Sequence, residues 1–477
     1  MQNLNNMATL HLLIGIPGSG KTTFVKEFIN KNKCVLVSTD KVRSENKGIS
    51  EDKVWPTVYE NIGKNLSNGN DVVFDATSIT PKVRDRLKEN ISTYCNEYEI
   101  NAYYFPTYYK ICIERVNKRN QMENELFLPL EVIASYGSKV CPPTYLESFD
   151  NAYLISNKPQ LLKNVVLDGY QGYGFYFNDG VEYVEEYGGF RDIDTFEPVR
   201  DSSNFRLASV SKQFIAYGIL TLVEKKLLTL ETKLFDLFDD MPNYTKDITI
   251  RNMLNHTSGL LNYEDMDHTD DQICDVDVLN YIRKTDKTYF EIGSKYQYSN
   301  TAYVLLGLII EKVSNVKLDK YMKENVFDKA GLKDTCVNYQ GITEVNNRAY
   351  GNIRENDKLV KKDQYWCSAT IGDGGLYSNI PDLKRWITFI RNINQYPYNL
   401  MKETHIVNGV DIEYGLGLRV KELNGNKLIY HCGSSIGTNT IIGFVEGTNI
   451  EFALLLNCNG ISGEILLSNI REYFKNV

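Results

Sequence analysis

Missing from this 477-residue chain are paired cysteines, long apolar runs and a surplus of basic charge, and each absence closes off a class of protein. The nine cysteines (Cys34, Cys95, Cys112, Cys141, Cys274, Cys336, Cys367, Cys432 and Cys458) are odd in number and scattered, with no C-x-x-C pair, and there are only five histidines. Neither a disulfide framework nor a zinc site is expected from that spacing. No stretch approaches the ~18 apolar residues a membrane-spanning helix needs. The first residues lack a basic segment followed by an apolar core and a small-residue cleavage site. The run Leu10 to Ile14 is too short for a signal peptide and reads better as a strand. These features lead us to expect a reduced, cytoplasmic protein with no membrane partner. Of 53 Lys and Arg and 61 Asp and Glu, 18 of each fall in residues 1–157, leaving 35 against 43 in the remainder. Neither part carries the excess of a dedicated nucleic-acid binder, so a short nucleic acid stays open as a partner without being favoured. No internal repeat or low-complexity tract occurs.

What is present is enough chain for two cores. In residues 10–157 the runs LHLLI, CVLV, DVVF, INAYYF and NAYLIS alternate with segments of helical periodicity, the pattern of a parallel α/β sheet. Polar residues and Pro159 then mark a joint, giving expected domains of 1–157 and 158–477. Beyond it, GYGFYFNDG and VEYVEEYGGF read as a hairpin closed at Asn-Asp-Gly. An amphipathic helix is expected from about Ser209, and strands return at KLIYHCG and TIIGFVEG. This second part is α+β.

Gly15 to Thr22, GIPGSGKT, satisfies G-x-x-x-x-G-K-[ST] between a strand and a helix. Glycines (Gly15, Gly18 and Gly20) let the backbone curl so that N–H groups, including that of Ser19, face phosphate oxygens at a helix N-terminus. Lys21 supplies charge to a transferring phosphoryl group and the Thr22 hydroxyl suits Mg²⁺. Asp75 ends a strand, where a carboxylate holds Mg²⁺ or caps a helix. Asp40 follows the second strand and would face the same crevice. It can accept the proton of an attacking hydroxyl, with Arg43 gripping an anionic acceptor, or the two are a cap and a surface arginine. Arg115, Lys118 and Arg119 share a helix face, as a phosphate lid or as a solvated charge run.

Along 1–157 the matches GIPGSGKTT, TDKVR, DATSITPKVR, ERVNKRN and PPTYLESFD resemble the polynucleotide-kinase-like branch of P-loop kinases, relatives of zeta toxins and AAA-type ATPases. That resemblance implies ATP and Mg²⁺ as cofactors, Asp40 as general base, Arg43 as an acceptor contact and Arg119 as a lid arginine. The acceptor would be a hydroxyl on a nucleic-acid end, a nucleoside or a small alcohol.

In the second part Ser209 and Lys212 fit S-x-x-K, which places a hydroxyl and an amine on one turn of helix. Spacing alone is weak, since Ser38/Lys41, Ser44/Lys47 and Ser314/Lys317 also satisfy it. Tyr298-Ser299-Asn300 fits Y-x-N, as do Tyr94/Asn96 and Tyr350/Asn352, whereas His431-Cys432-Gly433 is the single H-x-G. Order and context raise the set above chance. A phenol near Lys212 would shuttle protons, and the N–H groups of Ser209 and Ser434 would form an oxyanion hole beside a glycine-edged strand.

From about residue 170 to the end, these motifs with ITIRNMLNHTSGL, GDGGLYSNIPDL and EILLSNIREYF resemble the class C β-lactamase and penicillin-binding-protein superfamily. The resemblance implies a β-lactamase/transpeptidase-like fold, an antiparallel sheet with a helical domain. It makes Ser209 the acylated nucleophile, Lys212 and Tyr298 the acid/base pair and Asn300 a substrate contact. His431 and Gly433 replace the usual third motif, a variant of esterase- and peptidase-like members. It implies no cofactor for this domain, and a small-molecule or peptide substrate. His256, in NHTSG, is expected to pack rather than catalyse. The whole reads as a phosphotransferase fused to a serine hydrolase, or as a hydrolase whose P-loop domain only senses nucleotide.

Overall fold

The computed structural model describes residues 7–122, 127–165, 170–269, 271–356, 358–459 and 463–475. The chain divides into two compact units. The first comprises Met1–Gly172 with Val184–Phe190 and Thr195–Pro198, and the second takes in Tyr173–Tyr183, Arg191–Asp194 and Val199–Val477. The division falls at Gly172 rather than at 157. The polar stretch expected to be the joint leads into a short helix whose Leu161 and Leu162 are buried, so the first unit continues through it.

The first unit runs β1 (Thr9–Ile14), α1 (Lys21–Asn32), β2 (Val35–Ser38), α2 (Thr39–Glu45), α3 (Glu51–Ser67), β3 (Val72–Asp75), α4 (Pro81–Ile91), β4 (Glu99–Tyr104), α5 (Tyr109–Arg119), α6 (Leu130–Lys139), β5 (Asn151–Leu154) and α7 (Pro159–Leu162). The five expected strands form one sheet, order β2-β3-β1-β4-β5, and every pairing is parallel. Strands covered on both faces read as unbroken apolar runs, and β1 is buried from Leu10 to Ile14. One face packs Leu10, Leu12, Val72 and Phe74 against Val54, Val58 and Ile62 of α3, and the other packs Leu13 and Val73 against Val25 of α1. The turn from β1 into α1 holds Gly18 at φ +84, where a Cβ would also meet the Cys112 carbonyl oxygen at 2.7 Å. Only glycine fits there.

In the second unit β6 (Tyr173–Asn178) precedes helices α8 (Ser211–Glu224), α9 (Asn300–Ser314) and α10 (Ile380–Arg391). Strands β7 (Arg419–Leu423), β8 (Asn426–Ser435), β9 (Thr438–Val445) and β10 (Glu451–Leu456) and helix α11 (Gly463–Lys475) follow. The strands run antiparallel in the order β7-β8-β9-β10-β6. All of β9 is buried, and α10 and α11 lie against the sheet. Helix α8 departs from expectation: it is buried from Ser211 to Leu222, polar residues included, rather than presenting one polar face to solvent. A small antiparallel sheet joins Phe205–Arg206 and Cys336–Val337 to the strand Leu376–Ser378. It ties the approach to α8 to the loop 372–375. Among the described residues no helix is long and apolar enough to cross a membrane, and no disulfide joins the cysteines.

Candidate active sites

Local folding delivers the second unit's nucleophile. After the Phe205–Arg206 strand the chain turns through Ala208 at φ +47, a left-handed conformation uncommon for alanine, into a 3-10 turn that opens α8. Ser209 is half-exposed there while its neighbours Ala208 and Val210 are buried. One turn on, buried Lys212 places Nζ 3.0 Å from Ser209 Oγ, 2.8 Å from Asn300 Oδ1 and 2.7 Å from the Asp373 carbonyl oxygen. Burial pulls the Lys212 pKa down to about 8; Asp373 and Glu264 push the other way, and Arg419 adds to the fall.

Tyr298 stands just before α9, whose first turn is capped by Ser299 Oγ accepting the Ala302 N–H. Its ring lies 5.0 Å from Lys212 Nζ and 5.5 Å from the Arg419 guanidinium carbon. Burial raises the phenol's pKa; the neighbouring Ser209 hydroxyl and then Arg419 favour the phenolate but do not win. Ser209 is near enough to exert that pull, yet the phenol oxygen has no well-formed hydrogen bond. We take the two groups to be in contact with their proton bond not yet aligned, as in many ligand-free sites.

The third motif lies on β8. β7 pairs with it only as far as Tyr430, so residues 431–435 form an edge on that side. Gly433 faces the nucleophile: a Cβ there would come within 2.2 Å of the Leu207 carbonyl and 3.1 Å of the Ser209 nitrogen. Ser434 is exposed on the same edge. His431 does not fit the catalytic role expected of it. It is buried, its Nε2 meets the Tyr414 hydroxyl at 3.0 Å and its Nδ1 meets the Cys432 carbonyl at 2.7 Å. Burial, Arg419 and Lys212 hold it neutral, with no nitrogen left for Ser209. His256 is likewise neutral and packs under Tyr298 at 4.3 Å, its Nδ1 accepting the Ser299 N–H, as expected of a packing residue.

Two residues escaped the motif reading. Glu264 accepts a hydrogen bond from Asn300 Nδ2 at 2.7 Å, and burial raises its pKa. Asp373 receives Lys212 through its backbone, while its carboxylate accepts from the Tyr263 hydroxyl at 2.8 Å. Asp373 had a signal in GDGGLYSNIPDL: a Cβ on Gly372 would stand 2.1 Å from the Tyr303 carbonyl, so this segment is built for close approach. Glu264 had none.

In the first unit Lys21 is buried and donates to the carbonyls of Gly15 (2.8 Å) and Ile16 (3.0 Å). Burial draws its pKa down to about 8 against the attraction of Asp75, and Arg119 is close enough to lower it further. The Asp75 carboxylate lies beside the Thr22 hydroxyl and near Asp40, though burial is what raises its pKa most. The buried Ser19 hydroxyl has no partner among the described residues. Arg115 donates to the Gly18 carbonyl at 3.1 Å, so it braces the loop. Arg43 does not stand open to an acceptor, because Glu51 holds it at 2.9 and 3.0 Å and Asp40 at 3.1 Å. A glycine loop, an orphaned hydroxyl, a desolvated lysine and a Thr–carboxylate pair suit a nucleotide's phosphates with Mg²⁺.

Comparison with known proteins follows the same division. The beta-lactamase family model matches residues 175–472 and the AAA domain model residues 10–143. The chain is 29% identical to penicillin-binding protein 4* of Bacillus subtilis (strain 168) over 276 residues, 53% of this chain and 60% of that protein. It is 27% identical to a D-aminopeptidase of Brucella anthropi over 286 residues, 54% of this chain and 50% of that protein. It thus spans about half to three fifths of these relatives' length. The crystal structure of a penicillin binding protein from Bacillus halodurans superposes with TM-score 0.56 at 25% identity, covering 63% of this chain and 95% of that one.

Proposed function

Because this chain belongs to the beta-lactamase family, we propose that its second unit cleaves an amide or ester through an acyl intermediate on Ser209, and that its first unit moves a phosphoryl group from ATP to a hydroxyl. One observation carries the hydrolase reading. Lys212 Nζ meets two carbonyl oxygens, of Asn300 and Asp373, and one hydroxyl, of Ser209. A neutral amine has two hydrogens, which the carbonyls use, so its lone pair is aimed at the Ser209 proton. Its pKa of about 8 leaves about a tenth of the amine neutral at pH 7. Tyr298 stays protonated, since burial outweighs its cationic neighbours. Lys212 therefore takes the Ser209 proton during acylation and Tyr298 gives one to the leaving group. The N–H groups of Ser209 and Ser434 receive the oxyanion, and His431 acts through Tyr414 as a positioning residue.

The test is the pH profile. The base is the deprotonated lysine, so log kcat/KM is expected to rise with unit slope up to about pH 8 and then level. His256 and His431, both held neutral, add no limb near pH 6.5. A flat profile from pH 6 to 9 would remove Lys212 as the base.

For the substrate we favour an amide bearing a free amine, as the name of the similar D-aminopeptidase states for that protein. Glu264, anchored by Asn300 beside Lys212, offers the ammonium its carboxylate. Glu264→Gln is expected to raise KM for amine-bearing amides about tenfold, the worth of one charged hydrogen bond on an open rim, and to leave neutral esters unchanged.

In the first unit Thr22 and Asp75 would hold Mg²⁺, which neutralises phosphate charge when bound. Lys21 and the loop N–H groups would position the phosphates, Arg119 would close over them and Asp40 would receive the acceptor's proton. The AAA domain match supports this reading. A reducing, ATP-containing cytoplasm suits both halves.

A further inference from the structure

At the end of the first unit's sheet away from the phosphate loop, one side chain from a strand and two from the starts of two others converge. His11 is the third residue of β1, Cys34 immediately precedes β2 and Asp71 immediately precedes β3. The parallel register sets Leu10 and Val35 both opposite Val72, so Asp71 aligns with Cys34 and with Thr9. Alternation then turns His11, Cys34 and Asp71 to the face that carries Leu13, Leu36 and Val73. One ligand atom of each lies within 4.8 Å of the others. We propose that His11, Cys34 and Asp71 form a binding site for a single Zn²⁺ ion.

The donor set selects that ion. Imidazole nitrogen, thiolate sulfur and carboxylate oxygen are the ligands of zinc, and magnesium or calcium would not choose sulfur. Two anionic ligands cancel the dication, so the loaded site is neutral, as a place that is mostly buried requires. His11 and Cys34 are buried, whereas Asp71 is half-exposed and leaves an entry and room for water as fourth ligand.

Two of the three ligands are held from behind, while the Cys34 thiol donates to the Asn32 carbonyl at 3.5 Å. His11 Nδ1 meets the Tyr103 hydroxyl at 3.1 Å, which leaves Nε2 for the metal, and Asp71 Oδ1 accepts the Thr9 N–H at 2.8 Å, which leaves Oδ2. Phe28 stands edge-on to the imidazole at 4.8 Å and limits its rotation. Such outer contacts fix a ligand's orientation before the metal arrives. Tetrahedral zinc brings its ligand atoms to about 3.3–3.8 Å from one another, so closure asks for about 1 Å of side-chain rotation. Among the described residues Asp71 forms no ion pair with a lysine or arginine, and its carboxylate accepts the Thr9 N–H. A carboxylate facing a thiol and an imidazole, with no cation, is a donor set without its acceptor. Binding replaces the S–H proton by the metal and releases it to water.

The test uses the full chain, stripped with a chelator and titrated with Zn²⁺ against a chromophoric competitor. One tightly held equivalent is expected, absent from Cys34→Ser and from His11→Gln. Asp71→Asn, the mildest change at the least buried position, should weaken it at least about tenfold. In wild-type protein, Zn²⁺ should slow alkylation of Cys34, read by peptide mass spectrometry, at least tenfold, a readout that needs no variant to fold. No bound zinc, unaltered binding in the three variants, or unprotected Cys34 would each overturn the assignment.

Discussion

Alanine in place of Ser209 is expected to lower kcat/KM for amide or ester hydrolysis at least about 10,000-fold, with the acyl-enzyme mass increment lost altogether. The magnitude follows from the lack of a substitute nucleophile. Ser211, two residues along the chain, is fully buried and accepts the Leu376 N–H at 3.2 Å. The change removes one oxygen and leaves Lys212, Tyr298 and the β8 edge in place, so the residue of activity measures what the oxyanion donors contribute alone. Intact-mass spectrometry after exposure to an ester and amide library, or labelling with a fluorophosphonate, decides the matter. Equal labelling of wild type and Ser209→Ala would sink the acyl-serine mechanism.

The second large effect belongs to the other unit. Lys21→Ala is expected to cut ATP turnover about 1,000-fold, the scale of losing one preorganised charge at a developing anion. In the structure Lys21 is desolvated and rests on the Gly15 and Ile16 carbonyls beside Asp75. An arriving phosphate offers the charge a better partner than two carbonyl dipoles. Unchanged hydrolysis at Ser209 shows that the second unit is intact, and an unchanged far-ultraviolet circular dichroism spectrum shows that the first is folded. Radiolabelled ATP offered with cytoplasmic metabolites or 5′-hydroxyl oligonucleotides separates transfer from sensing. Bound nucleotide with no labelled acceptor would favour the sensor, a reading to which the engagement of Arg43 by Glu51 and Asp40 lends weight.

Both folds were legible because their signals are local. A glycine loop between strand and helix, and five apolar runs separated by helical periodicity, depend on neighbours a few residues apart, and the parallel sheet contains all five. The S-x-x-K turn is similarly short, and Ser209 and Lys212 meet at 3.0 Å. What spacing could not convey was enclosure. Helix α8, expected to be amphipathic, carries the polar residues Ser211, Lys212, Gln213 and Thr221, yet each is buried against a partner supplied from far along the chain. His431 misled for the same reason. An H-x-G on a strand leaves the ring's surroundings open, and Tyr414 and the Cys432 carbonyl claim both nitrogens. The cluster of His11, Cys34 and Asp71 escaped because its members lie in three separate stretches of chain and no motif spans them.

The alanine ahead of the nucleophile bears on how this protein tolerates engineering. Left-handed backbone costs alanine about 1 kcal/mol that glycine would not incur. A programme selecting for heat resistance would therefore exchange Ala208 early, and would gain melting temperature by slackening the one joint that aims the reactive oxygen. Variants chosen for robustness and variants chosen for turnover should part company at this position.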